Sequence, residues 1–221
     1  MELGWLTLSS ADVPVGDGWL GPREREVLAG LRIEKRRHDW RRGRFAAKSA
    51  VARWLGVEVE EVEIIAAGDG APEAWFGDEP APVSISLSHR GERAMAAVCE
   101  LPVAVGCDLE LIEPRSDAFV REWLAPAEQA AVLAVGGDER ARLANLIWTG
   151  KEAAAKVRRA GLRLNVRHAV VTLDDGPGDW RPLNVDWGGD GATPGWWRAD
   201  EGWAMAIAAE PSTFVPPGQL I

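Results

Sequence analysis

The chain has 221 residues, 47% of them hydrophobic, with 25 Lys and Arg against 34 Asp and Glu for a formal net charge of −9. That length and apolar content support a substantial core in one large domain or two small ones, and so acidic a whole argues against an extended nucleic-acid surface. The first Lys or Arg is Arg23 and no long apolar run occurs, so neither export nor membrane insertion is expected and a cytoplasmic protein is predicted.

In chain order, GWLTLSS opens with a strand, and PREREVLAGL and KRRHDWRRGRFAAKSAVARWLG read as helices, the second closed by Gly56. Strands are predicted through VEVEEVEIIAA, VSISLSH, RAMAAVC and VAVGCDLELI. After Pro114 come helices over DAFVREWL, APAEQAAVLA and ERARLANLIWTGKEAAAKVRRAG. VRHAVVTL, NVDW, GWWRA and WAMAIAAE are strand-like, and FVPPGQLI reads as a tail. Strand runs punctuated by helices indicate an α+β fold.

Two segments repeat. RAMAAVCE (93–100) and WAMAIAAE (203–210) align at an offset of 110, and AAK recurs at 46–48 and 154–156, an offset of 108. The expectation is two similar α+β halves, 1–106 and 107–221, each a long helix packed on a small antiparallel sheet, together forming an intramolecular pseudo-dimer that works as a monomer. Asp108 and Glu110 lie at the junction of the halves, and junctions between domains are common locations for small-molecule sites.

Charge is unevenly spread. Arg32 to Lys48 carries eight bases and two acids, leaving an acidic remainder. Such a run is either a solvated helix face or a local patch that offsets the acidic background for a phosphate-bearing ligand. The two cysteines, Cys99 and Cys107, have no metal-type or redox-type spacing and read as small buried hydrophobes.

The chemistry concentrates in two places. In VGCDLE, Asp108 and Glu110 are two apart, so a strand points both to one face. In WTGKEAAAK, Glu152 and Lys156 are four apart and share a helix face. Three carboxylates suit a hard dication such as Mg²⁺, which takes oxygen ligands and leaves positions for phosphates. Lys151 and Lys156 would be the phosphate partners. Each fragment alone also fits a solvated strand or a surface ion pair; the combination carries the functional reading.

VGCDLE followed by WTGKEAAAK resembles the paired signature of the 4′-phosphopantetheinyl transferases, (V/I)GxDxE and (F/W)(S/T)xKEAxxK. WRRGRFAAK and SLSHR look like that family's coenzyme A-binding elements. The resemblance runs from Arg41 to about Gly161, and the internal duplication is similar to the larger, surfactin-type class. Leu111 departs from the family, whose members often have Lys there. The resemblance implies transfer of the phosphopantetheine arm of coenzyme A to a serine of an acyl or peptidyl carrier protein, releasing 3′,5′-ADP. Mg²⁺, or Mn²⁺ in its place, would be held by Asp108, Glu110 and Glu152. Glu152 would accept the serine proton directly or through a water, and Lys156 would stabilise the departing phosphate. Arg41, Arg44, Lys48, Ser88, His89, Lys151 and Lys156 would bind coenzyme A. Arg115 and Arg121, with Phe119, Trp123 and Leu124, would either meet the carrier or, for the apolar three, form ordinary core. His38 and His168 have no motif support. The competing readings are a metal-dependent phosphodiesterase or nuclease, and a catalytically silent carrier-binding module.

Overall fold

A computed structural model describes residues 2–159, 165–210 and 216–221. Gly161, where the family resemblance ends, and the first two residues of the expected tail lie outside them. The described elements are β1 (Leu3–Ser9), α1 (Pro22–Gly30), α2 (Glu34–Leu55), β2 (Val62–Ala66), β3 (Pro72–Phe76), β4 (Glu79–Pro80), β5 (Val83–Arg90), β6 (Arg93–Glu100), β7 (Ala104–Leu111), α3 (Asp117–Trp123), α4 (Pro126–Ala134), α5 (Gly137–Val157), β8 (Val170–Leu173), β9 (Arg181–Asp186), β10 (Ala192–Asp200), β11 (Trp203–Glu210) and β12 (Gly218–Gln219). The fold is α+β, and the chain divides into two compact units, Met1–Val105 with Pro217–Ile221, and Gly106–Pro216.

In the first unit the sheet order is β12-β1-β6-β5, and a second sheet runs β2-β3-β4. Helix α2 packs on β6, β5 and β1. Its buried stripe of Ala46, Ala47, Ala50 and Val51 meets Leu6, Ile85, Ala94, Ala96 and Val98; small helix residues opposite small strand residues bring helix and sheet close together. The helix ends where Gly56 adopts a left-handed conformation, φ 70°, and its N–H bonds the Ala52 carbonyl, as the sequence predicts for a C-terminal glycine. The tail is not loose. Gly218 and Gln219 pair in parallel with Gly4 and Trp5, and Leu220 joins the core of this unit.

In the second unit the order is β7-β11-β10-β9-β8, and α5 packs chiefly on β11. Strand β11 is almost wholly buried.

Each unit holds a buried ion pair of the same kind. In the first, the Lys48 ammonium lies 2.7 Å from Glu24, and both side chains are fully buried. Glu24 also accepts the N–H groups of Gly21 at 3.0 Å and Ile64 at 2.9 Å, and Lys48 donates to the Trp19 carbonyl. In the second, Lys151 lies 2.6 Å from Glu128. Glu128 accepts the N–H groups of Ala125 and Val171, each at 2.7 Å, and Lys151 donates to the carbonyls of Val166, Ala169 and Trp123. Even the aromatic lid recurs: Trp19 meets Phe45 edge-on at 5.1 Å, and Trp123 meets Trp148 edge-on at 5.4 Å. Trp-Leu-x-Pro-x-Glu occurs at 19–24 and again at 123–128, an offset of 104, and Lys48 to Lys151 is 103. The AAK echo therefore misplaces the helical register: Lys48 corresponds to Lys151, not to Lys156.

A charge buried this deeply is tolerated only with its partner. Lys48→Met alone is expected to cost about 3–5 kcal/mol of stability by stranding Glu24. Lys48→Met with Glu24→Gln, which keeps an oxygen acceptor for the backbone, should cost less. Urea unfolding measures both, and a single variant as mild as a surface change would contradict the reading.

Candidate functional site

Strand β7 alternates as predicted up to a point. Cys107 and Leu109 are buried, but Asp108 is buried too, at 5% exposure, and Glu110 is half-buried. Gly106 explains how the strand reaches α5: a methyl group there would run into the Ala153 carbonyl and crowd the Val157 amide. That close approach lets Lys156 donate to both the Cys107 carbonyl and Asp108 Oδ1, each at 2.8 Å. Burial opposes the Lys156 charge, but Asp108, with Cys107 and Glu152 adding to it, raises its pKa above the usual lysine value. Lys156 is a firm cation whose side chain is one-third exposed, at 32%.

Glu152, on the same helix face, is pushed above the usual carboxylate range, first by burial and then by the Asp108 charge; Glu110 adds to this and Lys156 opposes it. The three expected metal ligands thus lie within one another's field. They are not assembled into a cage: among the described residues no group of three or more His, Cys, Asp or Glu is gathered closely enough to hold an ion. Asp108 is held by Lys156 instead, and Glu110 by Arg115 at 3.0 Å. The donor chemistry fits a hard dication, since three mutually repelling carboxylates are what such an ion relieves.

The first unit offers a different surface. A groove of about 960 Å³ is lined by Lys35, Arg37, His38, Arg41, Arg42, His89 and Arg90, with Glu34 and Asp39 among them. Arg41 is anchored there on the carbonyls of Pro14, Val15 and Gly16 and on Asp17. His89 is exposed at the end of β5, and Ser88 beside it is half-buried. Of the expected coenzyme A residues, the groove gathers Arg41 and His89.

Three expected ligands of coenzyme A go elsewhere. Lys48 and Lys151 are fully buried and committed to Glu24 and Glu128; burial lowers the pKa of both against the pull of those acids. Both ammonium groups face the interior of their own unit. Arg44 donates to the Ile64 carbonyl, stacks on Trp40 at 4.7 Å and lies 4.0 Å from Glu24, so it too serves the interior. Leu124 is fully buried, which is the core alternative for that residue; Phe119 and Trp123 are half-buried and pack edge-on against Trp148. Sequence reasoning passed over Arg37, Arg42 and Arg90, and gave His38 no role. The basic run from Arg32 to Lys48 was the available signal for most of them.

In the shared frame the site acids of the second unit have no acidic counterparts in the first. With Lys48 matched to Lys151, Ser49 stands where the second unit has Glu152, and Arg53 where it has Lys156. Gly4 lies against Trp54 as Gly106 lies against Val157, which sets Leu6 and Leu8 in the places of Asp108 and Glu110.

The sequence model described as the 4′-phosphopantetheinyl transferase superfamily matches residues 104–208, from β7 to near the end of β11. The 4′-phosphopantetheinyl transferase AcpT of Escherichia coli K12 is 36% identical over 99 residues, covering 39% of this chain and 49% of AcpT, and AcpT of strain O157:H7 matches equally. The chain thus spans about half the length of these curated relatives. A crystal structure of a holo-(acyl-carrier-protein) synthase from Bacillus anthracis in complex with CoA (3′,5′-ADP) is 26% identical, with a TM-score of 0.38, covering 44% of this chain and 92% of that one. Residues 104–208 of this chain thus resemble the 4′-phosphopantetheinyl transferase superfamily, and the two α+β units are consistent with the larger class within it.

Gly106→Ala should force β7 away from α5 and weaken the Lys156–Asp108 contact. The expected result is a lowered melting temperature, read by circular dichroism; an unchanged melting temperature would contradict the close approach.

Proposed function

We propose that this protein transfers the 4′-phosphopantetheine arm of coenzyme A to a serine hydroxyl of a carrier protein, releasing 3′,5′-ADP, in a Mg²⁺-dependent reaction. The observation that carries the reading is that the superfamily match falls on the unit that holds Asp108, Glu110, Glu152 and Lys156 together. Asp108, Glu110 and Glu152 would hold Mg²⁺, or Mn²⁺ in its place, which when bound neutralises the polyanionic pyrophosphate and polarises it for attack.

The chain's own groups divide the remaining work. Glu152, already less acidic than an ordinary carboxyl, takes the serine proton, directly or through a water. The serine oxygen then forms a bond to the pantetheine-side phosphorus, and the bridging bond to 3′,5′-ADP breaks. Lys156, a charged donor fixed beside Asp108, faces the charge that develops on the leaving phosphate. In the first unit, Arg41 and His89 line a basic groove suited to the other phosphates of coenzyme A, with Ser88 beside them. Carrier proteins of fatty-acid, polyketide or peptide synthesis are the partners this chemistry serves.

Intact-mass spectrometry of apo carrier proteins incubated with the protein, coenzyme A and Mg²⁺ tests the reading. A gain of one phosphopantetheine arm, absent with EDTA, is expected; coenzyme A binding without any modification would favour the silent-module alternative. Glu152→Gln should abolish transfer while calorimetry still detects coenzyme A, and retained transfer would remove Glu152 from its role as base. His89→Ala should raise KM for coenzyme A more than it lowers kcat in steady-state assays, and the reverse split would place His89 away from ligand binding.

A further inference from the structure

Arg115 was expected at the carrier surface, yet it is among the most constrained cations described in the second unit. Its Nε donates to Asn145 Oδ1 at 2.7 Å, and its Nη2 donates to Glu110 Oε2 at 3.0 Å. The guanidinium lies 4.8 Å over the Phe119 ring, and Phe119 is braced edge-on by Trp148. Asn145 is fully buried, and its amide donates to the carbonyls of Glu113 at 2.8 Å and Ala141 at 2.7 Å. The side-chain amide of Asn145 is thus used in full to fix one arginine, and the arginine's free edge is aimed at a carboxylate.

We propose that Arg115 is a built-in counter-ion that sets the metal affinity of the site: it occupies Glu110 in the ion-free protein, and a dication must displace it. The inference rests on the metal reading above. Lys156 on Asp108 and Arg115 on Glu110 leave the two strand acids each matched by a cation, which accounts for a stable arrangement of three neighbouring carboxylates with no assembled cage. Lys156 has a second task at the phosphate. Arg115 also lies 3.9 Å from Glu113 through Nη1, so a carboxylate beside it can take up the guanidinium, and its fixed fork makes release from Glu110 a local event rather than a rearrangement of the strand.

The test is Mn²⁺ binding to the coenzyme A-free protein, followed by electron paramagnetic resonance of free Mn²⁺. Arg115→Gln should bind Mn²⁺ about tenfold more tightly than the wild type, the equivalent of one charge-assisted hydrogen bond no longer opposing the ion. Arg115→Lys, which keeps the charge, should stay near the wild type. Unchanged or weaker binding by Arg115→Gln overturns the counter-ion role while leaving the metal site standing. Failure of the wild type to bind Mn²⁺ at all overturns both. In the wild type, the Arg115 Nε–H resonance in a ¹⁵N-arginine-labelled sample should shift as Mg²⁺ is added; an unmoved signal at saturating Mg²⁺ contradicts displacement even where a variant fails to fold.

Discussion

Each unit is organised around one lysine that the interior holds as a cation. An ammonium fully removed from water costs several kcal/mol unless its surroundings replace every lost contact, and both units do so in the same way. A glutamate at the third position of a Pro-initiated helix caps that helix, takes one strand N–H and receives the lysine. Three elements are thereby fixed to one another: the short helix, the long helix and the neighbouring strand. Everything else that matters hangs on the long helix so placed.

From that frame the chemistry follows by position. One residue beyond the buried Lys151, α5 presents Glu152, and a turn later Lys156, to the face where Gly106 admits β7. In the first unit the same places hold Ser49 and Arg53, and the adjoining strand has Leu6 and Leu8. Both units keep the frame, which stability demands of each, while these acids stand in the second alone. The first unit instead developed a basic groove along the start of α2 and the end of β5.

Much of this was legible in the sequence. The alternation in GCDLEL and the 3.6-residue period of α5 gave the acids and Lys156 their faces, and Gly56 gave the end of α2. Other features were hidden for physical reasons. β3 and β4 are short and punctuated by Pro72, Gly77 and Pro80, so no alternation announces them. VEVEEVEIIAA opens with the alternation of a strand, yet Val59–Glu61 form a short 3-10 helix in which Glu61 caps the Glu58 amide, and the strand starts only at Val62. Arg44 and Lys48 both lie beside Glu24, a partner distant in the chain that no local pattern could reveal. Ala-rich helices match one another at many registers, so the AAK echo was a poor ruler, whereas the repeated Trp-Leu-x-Pro-x-Glu marks a residue that must pair in the interior.

In the proposed reaction two lysines five residues apart divide the labour: Lys151 holds the fold and Lys156 meets the substrate. Measuring phosphopantetheine transfer and melting temperature together for Lys151→Met and Lys156→Met, at a temperature where both remain folded, separates them most directly. Lys151→Met should melt well below the wild type yet still transfer, whereas Lys156→Met, which strands the buried Asp108, should melt below the wild type by a smaller margin and lose transfer. A folded Lys151→Met that binds no coenzyme A, or a fully active Lys156→Met, would contradict this division.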